Sequence, residues 1–256
     1  MKIKHTLTPE MYHDDKEYIS SSYLKKLWKC EYAALNEPNE DKECFKEGRL
    51  FEILVSGTNE EKEKFFVENT DVLASTGKNK GQLKSNYAVV VNAANAVRKQ
   101  KMLADIIGVC DKQVIMVGEI NGVKVKAMYD LIDLKTGDIF DLKCMANFTD
   151  KYMLKTEQYA SWWECYGYHI QMYLYREIAR QNGMLDGRTG LIAASKQTVP
   201  EIKAITFSDG MLGYAEGITK QLIDRHIELL NGAIPERCEE CNFCKKTVII
   251  NEFEVI

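Results

Sequence analysis

The strongest constraint on the fold of this chain is a change of hydrophobic period near its middle. Before it, apolar residues recur at helical spacing: Leu24, Leu27, Trp28 and Cys30 follow the capping serines Ser20, Ser21 and Ser22, until Asn36 and Pro38 end the helix. Further helices are predicted over 43–55 and over 81–103, the latter through Tyr87, Val90, Ala94 and Val97. From Gln113 onward the period is that of strands. Residues 113–118, 123–133 and 138–144 read as a meander whose turn pairs are Asn121-Gly122 and Thr136-Gly137. A long helix over about 157–181, strands over 191–195 and 202–207, and a helix over 210–230 complete the order. Such an order buries its apolar faces as a mixed α/β fold, a sheet flanked by helices on both faces.

Length and charge narrow the possibilities. The 256 residues suffice for one sizeable core, and no repeat or long linker divides them. A single domain over 1–256 is expected, with a helical part over 1–108, a core over 109–210, and a last helix with a cysteine cluster over 211–256. Lys and Arg total 34 against 38 Asp and Glu, a net charge of -4, which excludes a uniformly basic nucleic-acid coat and leaves room for a local basic groove. The opening MKIKHTLTPEMYHDD has no apolar signal core, and no run approaches about 18 apolar residues, so a cytoplasmic protein without a membrane span is expected. In that reducing compartment, 8 cysteines point to metal binding or redox chemistry before disulfides.

The meander carries the chemistry. With Thr136 and Gly137 central in a hairpin turn, Asp130 falls opposite Lys143 and Ile132 opposite Asp141, and a four-residue loop is taken to give the same pairing. Asp130, Asp141 and Lys143 then project from one face. Two carboxylates and an ammonium on adjacent strands suit a hard divalent cation beside an attacked phosphate. The lysine would orient or help deprotonate a water, or stabilise the pentavalent charge. The plainer alternative is an exposed hairpin with a cross-strand ion pair.

Lys126-Ala127-Met128-Tyr129-Asp130, Asp141-Leu142-Lys143, and Tyr168-His169-Ile170-Gln171 with Tyr175 together resemble the PD-(D/E)XK nuclease superfamily. Within it they resemble the RecE-type branch of exonuclease VIII and its phage-derived relatives. The resemblance runs from about Ser20 to Cys244 and implies an αβββαβ restriction-endonuclease-like core. It implies catalytic roles for Asp130, Asp141, Lys143, Gln171 and Tyr175. It further implies Mg²⁺ or Mn²⁺ held by Glu52, Asp130, Asp141 and the Leu142 carbonyl. Many members carry Gly-x-x-x-His on an upstream helix; here Gly48-Arg49-Leu50-Phe51-Glu52 puts a carboxylate, the harder ligand, at the histidine position. A solvated helix glutamate is the other reading of Glu52. Gln171 and Tyr175 share a helical face, where a core-facing tyrosine stripe is the alternative. His169 is assigned packing or phosphate contact only, and Glu119 a surface position.

Cys238-x-x-Cys241-x-x-Cys244 can turn three thiols toward one metal or cluster face, with a fourth ligand recruited from elsewhere. AddB-type helicase-nucleases and CRISPR-associated nucleases join an N-terminal helix cysteine to three C-terminal ones around a [4Fe-4S] cluster, and this likeness implies Cys30 as the fourth. Zn²⁺ with Cys30 or His226 is the alternative, and a reduced cysteine-rich tail a third. The function implied is a metal-dependent DNA exonuclease, acting 5′ to 3′ on double strands in phage-type recombination. A ring-like homo-oligomer and a single-strand annealing partner come with that resemblance. The competing expectations are an iron-sulfur DNA end-processing nuclease or endonuclease of the CRISPR-associated or AddB-like kind, a DNA-binding module with a decayed site, and a structural metal protein.

Overall fold

A computed structural model describes residues 7–38, 43–153 and 158–250. The N-terminal half is helical apart from one short strand: α1 (Pro9–Asp14), β1 (Ile19–Ser20), α2 (Ser21–Lys29), α3 (Glu31–Asn36), α4 (Glu43–Ser56), α5 (Asn59–Glu68), α6 (Ser85–Arg98) and α7 (Lys101–Val109). The strands β2 (Asp111–Ile120), β3 (Val123–Ile132) and β4 (Ile139–Met145) follow, then a small hairpin of β5 (Lys151–Met153) and β6 (Gln158–Ala160). Helices α8 (Trp162–Cys165) and α9 (Tyr168–Gln181), strands β7 (Thr189–Ser195) and β8 (Ile202–Thr206), and helices α10 (Asp209–Leu230) and α11 (Asn242–Lys246) complete the chain. Among the described residues, no helix is long and apolar enough to cross a membrane.

Three predicted helices are broken in ways that matter. The first divides at Cys30, whose extended backbone (φ -163°, ψ 111°) lets its thiol accept the Ala33 N–H and cap α3. The helix predicted over 81–103 is α6 and α7, parted at Lys99 and Gln100. The helix predicted from residue 157 begins instead at Trp162 and breaks at Gly167, which takes a left-handed φ of 67°. Its predicted first residue, Glu157, lies outside the described residues.

The main sheet runs β3-β4-β7-β8, with β2 paired along one edge of β3. β4 and β7 are parallel, as a crossover through α9 requires, and β7 and β8 are antiparallel. On its other edge β3 meets β4 only at Leu131–Phe140 and Ile132–Ile139, while β1 pairs in parallel farther back, at Val125 and Lys126. The β3–β4 register therefore differs by two residues from the expected one. Asp133 N–H donates to Asp138 O and Gly137 N–H to Asp133 O, so four residues fill the turn, which shifts the pairing but preserves which face each side chain takes. Gly137 closes that turn with a φ of 77°, and a Cβ there would lie 1.9 Å from the Leu185 carbonyl oxygen.

Each sheet face has its own core. One gathers Leu24 from α2, Ile170 and Leu174 from α9, and Ile223 from α10 against Ile139, Leu191 and Ala193. The other packs Leu50 and Phe51 of α4 and Tyr87 and Val90 of α6 against Phe140, Leu142, Ile192 and Ala194. Strand alternation holds along β4 and β7 but slips in β3, where Tyr129 joins the first core and Leu131 the second. The slip coincides with Gln113, across the ladder from Asp130, which has a positive φ of 52°.

Candidate active site and cysteine cluster

Where β3 and β4 part, a side chain takes over from the ladder: Asp130 Oδ2 accepts the Leu142 N–H at 2.8 Å. Asp141, only 2% exposed, receives the Gln171 side-chain amide on Oδ1 at 2.6 Å and pairs through Oδ2 with the Lys143 ammonium. Glu52 approaches from α4 on the neighbouring layer, its Oε1 accepting from the Gln113 amide. The three carboxyl groups feel one another. Burial, then the charge of Asp141, pushes Glu52 up to about 7, and burial with Asp141 and Glu52 raises Asp130 well above the usual carboxylate range. Hard oxygen donors crowded in a buried setting, with too little positive charge between them, are a donor set that fits a divalent cation. Each is engaged by a protein donor: Glu52 by Gln113, Asp130 by the Leu142 N–H, and Asp141 by Gln171 and Lys143.

Lys143 is held charged. Burial opposes its ammonium, but Asp141, with Tyr168 and Asp130 behind it, outweighs burial and keeps the lysine above its ordinary value. Gln171 is locked in orientation, since its Nε2 donates to Asp141 while its Oε1 accepts from Lys25 Nζ at 2.6 Å. Lys25, on α2, is pushed down to about 7 by burial and by the like charge of Lys143. The Tyr168 ring lies beneath both ammonium groups, 5.1 Å from Lys25 and 5.2 Å from Lys143. Tyr175 is buried one turn beyond Gln171, its ring centroid 5.0 Å from that of Tyr129, and burial raises its hydroxyl well above the ordinary value, so it is neutral.

Other singled-out residues lie elsewhere. His169 sits between Trp28, Trp163 and Tyr214, away from the carboxylates in the α9–α10 packing, with neither ring nitrogen hydrogen-bonded. Lys126 anchors the N-terminal segment, donating to the backbone oxygens of Tyr12 and Asp15 at 2.6 and 2.7 Å. Glu119 is exposed at the far end of β2, where its backbone meets Gln181. Lys25 and Gln113 went unnoticed in the sequence. Neither belongs to a spaced motif, and each reaches the site only because α2 and the first residues of β2 fold beside it.

The second cluster is unambiguous in geometry. The sulfurs of Cys30, Cys238, Cys241 and Cys244 all lie within 4.8 Å of one another, Cys30 and Cys244 at 3.5 Å. Cys30 completes the set, whereas His226 is engaged with the Tyr23 hydroxyl at 2.8 Å. Backbone N–H groups of Ala33, Cys241 and Cys244 point at three of the sulfurs, each at 3.4 Å. Burial opposes a Cys238 thiolate, but the N–H groups of Cys241 and Glu240 and the neighbouring thiols bring it down to about 7. Around the cluster, Arg237 stacks 4.1 Å over the Tyr32 ring and donates to Cys244 O, while Arg225 forks onto Glu31 at 2.8 and 2.9 Å. This convergent thiol set suits Zn²⁺ or an iron-sulfur cluster.

A family described as PDDEXK-like domain of unknown function (DUF3799) matches residues 20–247. A crystal structure from Eubacterium rectale, labelled "Putative exonuclease", is similar to the chain with a TM-score of 0.84 and 26% identity, over 98% of this chain and 97% of that one. The protein SSO0001 is more distant, with a TM-score of 0.34 and 15% identity over 90% of this chain and 96% of that one. No curated protein matches.

Proposed function

The chain belongs to the family of PDDEXK-like domains of unknown function, and we propose that it is a nuclease, a metal-dependent enzyme that hydrolyses DNA phosphodiester bonds from an end. The observation that carries this reading is Asp141, buried between Lys143 and Gln171 and electrostatically coupled to Asp130 and Glu52. The E. rectale protein supports it through its fold, 26% identity and label. In this reading Glu52, Asp130, Asp141 and the Leu142 carbonyl would hold Mg²⁺ or Mn²⁺. Bound there, the ion would polarise the phosphate and lower the pKa of a water.

The chain's own groups do the rest. Lys143, whose ammonium form Asp141 favours, donates to the attacking water or to the developing phosphate charge. Gln171, fixed at both ends, holds Asp141 and Lys25 in register. Tyr175, neutral, packs behind Gln171 and orients the strand being cut. The RecE-type likeness further proposes 5′ to 3′ action on double strands, a ring-like homo-oligomer and a single-strand annealing partner. The four-thiol cluster favours a second reading, an iron-sulfur end-processing nuclease of the AddB or CRISPR-associated kind.

Asp141→Ala and Lys143→Ala should each reduce Mg²⁺-dependent degradation of linear DNA by about a hundredfold or more. Unchanged rates in both would place the chemistry elsewhere. Covalently closed circular DNA should resist the wild-type protein, and a nuclease-resistant linkage at the 5′ end should block it where one at the 3′ end does not.

A further inference from the structure

Outward from the carboxylates, cations and tyrosine rings alternate. The Tyr168 ring, beneath Lys25 and Lys143, stacks against Tyr166 with centroids 5.7 Å apart and planes 18° from parallel. Tyr166 in turn lies beneath two more ammonium groups, Lys29 at 5.2 Å and Lys151 at 4.9 Å, and Lys151 also contacts its hydroxyl at 2.9 Å. Lys25 and Lys29 are one turn apart on α2 and so share a face, while Lys151 comes from β5.

The inner and outer pairs differ in their counter-charge. Lys143 has Asp141, and Lys25 has the Gln171 oxygen, but among the described residues no carboxylate pairs with Lys29 or Lys151. The side chains of both outer lysines reach solvent, and the partly desolvated Lys29 ammonium is lowered from its ordinary value by its packing and then by the charge of Lys151. Two like charges over one ring, with no carboxylate beside either among the described residues, favour an anion placed between them.

We propose that Lys29, Lys151 and Tyr166 form a subsite that grips a backbone phosphate of the DNA strand next to the scissile one, with the Tyr166–Tyr168 stack as the floor along which the strand leaves the carboxylates. The proposal rests on the nuclease reading for the identity of the ligand, a phosphodiester chain. Phosphate contacts position a strand without reading its sequence, so the subsite gives affinity and register and no base preference.

The test is binding of a fluorescein-labelled single-stranded oligonucleotide in Ca²⁺, followed by fluorescence anisotropy across a salt series. Lys29→Ala with Lys151→Ala should weaken binding about tenfold and reduce the slope of log affinity against log salt by about 1–2, the loss of one or two phosphate contacts. Arginine at both positions should restore both values, and Lys101→Ala, an exposed lysine already paired with Asp105, should leave them unchanged. A double alanine variant with wild-type affinity and slope overturns the subsite, as does a wild-type protein that does not bind the oligonucleotide. Equal melting temperatures exclude misfolding, and Tyr166→Leu, which removes the ring but no charge, should weaken binding without changing the slope. Cleavage in Mg²⁺ is read separately: a wild type that binds but never cuts defeats the nuclease reading while the binding comparison still decides the subsite.

Discussion

At the scale of single residues, motif membership and chemical role separate. His169 stands inside the Tyr168–Gln171 motif, yet it is fully buried with both ring nitrogens unpaired, and burial holds its pKa down to about 4. Its folded-state pKa lies below the unfolded value of about 6.5, so between those values the unfolded chain binds more protons. The stability His169 permits is therefore present above about pH 6.5 and is lost as pH falls toward 4, on the order of 3 kcal/mol in all. His169→Phe should be neutral to stabilising at pH 7, and urea unfolding at pH 5 and pH 7 should show a smaller difference than in the wild type. A variant as acid-sensitive as the wild type would mean that the imidazole is solvated. Asp141 and Lys143 were legible because alternation holds along β4, a local rule, whereas β3 slips beside Asp130, which reaches across to the Leu142 N–H. Lys25 was not, since its partner Gln171 is supplied by a distant helix.

Individual elements were mostly predictable in kind and less so in their breaks. The meander, the crossover helix and the last long helix follow from hydrophobic period, but the turn between β3 and β4 accommodates four residues, and period alone cannot count turn residues. The break between α8 and α9 is likewise set by tertiary packing. At Gly167, with φ of 67°, an added Cβ would lie 3.0 Å from Lys25 Cγ and 3.5 Å from Trp28. Gly167→Ala should cost about 1–2 kcal/mol from left-handed backbone strain alone, lowering the melting temperature by several degrees in scanning calorimetry. The same substitution presses on α2 and should reduce kcat more than KM, because Gln171 starts its turn from that glycine. An unaltered melting temperature would show that the break tolerates an ordinary residue.

Over the whole molecule, α2 links the two clusters, with Lys25 in the carboxylate site and Cys30 immediately beyond its last turn. The thiol set closes a loop from residue 30 to residue 244, and clips across long loops remove much conformational freedom from the unfolded chain. Cys30→Ser and Cys241→Ser should each purify with little bound metal and unfold at a lower temperature, a loss on the order of several kcal/mol. Elemental analysis with acid-labile sulfide decides between iron-sulfur and zinc, and full stability without either metal would reduce the cluster to a set of packed thiols. By itself the sequence determined the order of the main sheet strands and of the helices that flank them, the strand face that carries Asp141 and Lys143, and the close spacing of Cys238, Cys241 and Cys244, because periodicity and short spacings act through neighbouring residues. The tertiary structure alone decided the two-residue register shift and the arrival of Lys25, Lys29 and Lys151 around two stacked tyrosines, and it brought Cys30, the residue expected from the family likeness, to the other three thiols. Those outcomes depend on contacts between segments far apart in the chain, whose packing no local pattern encodes.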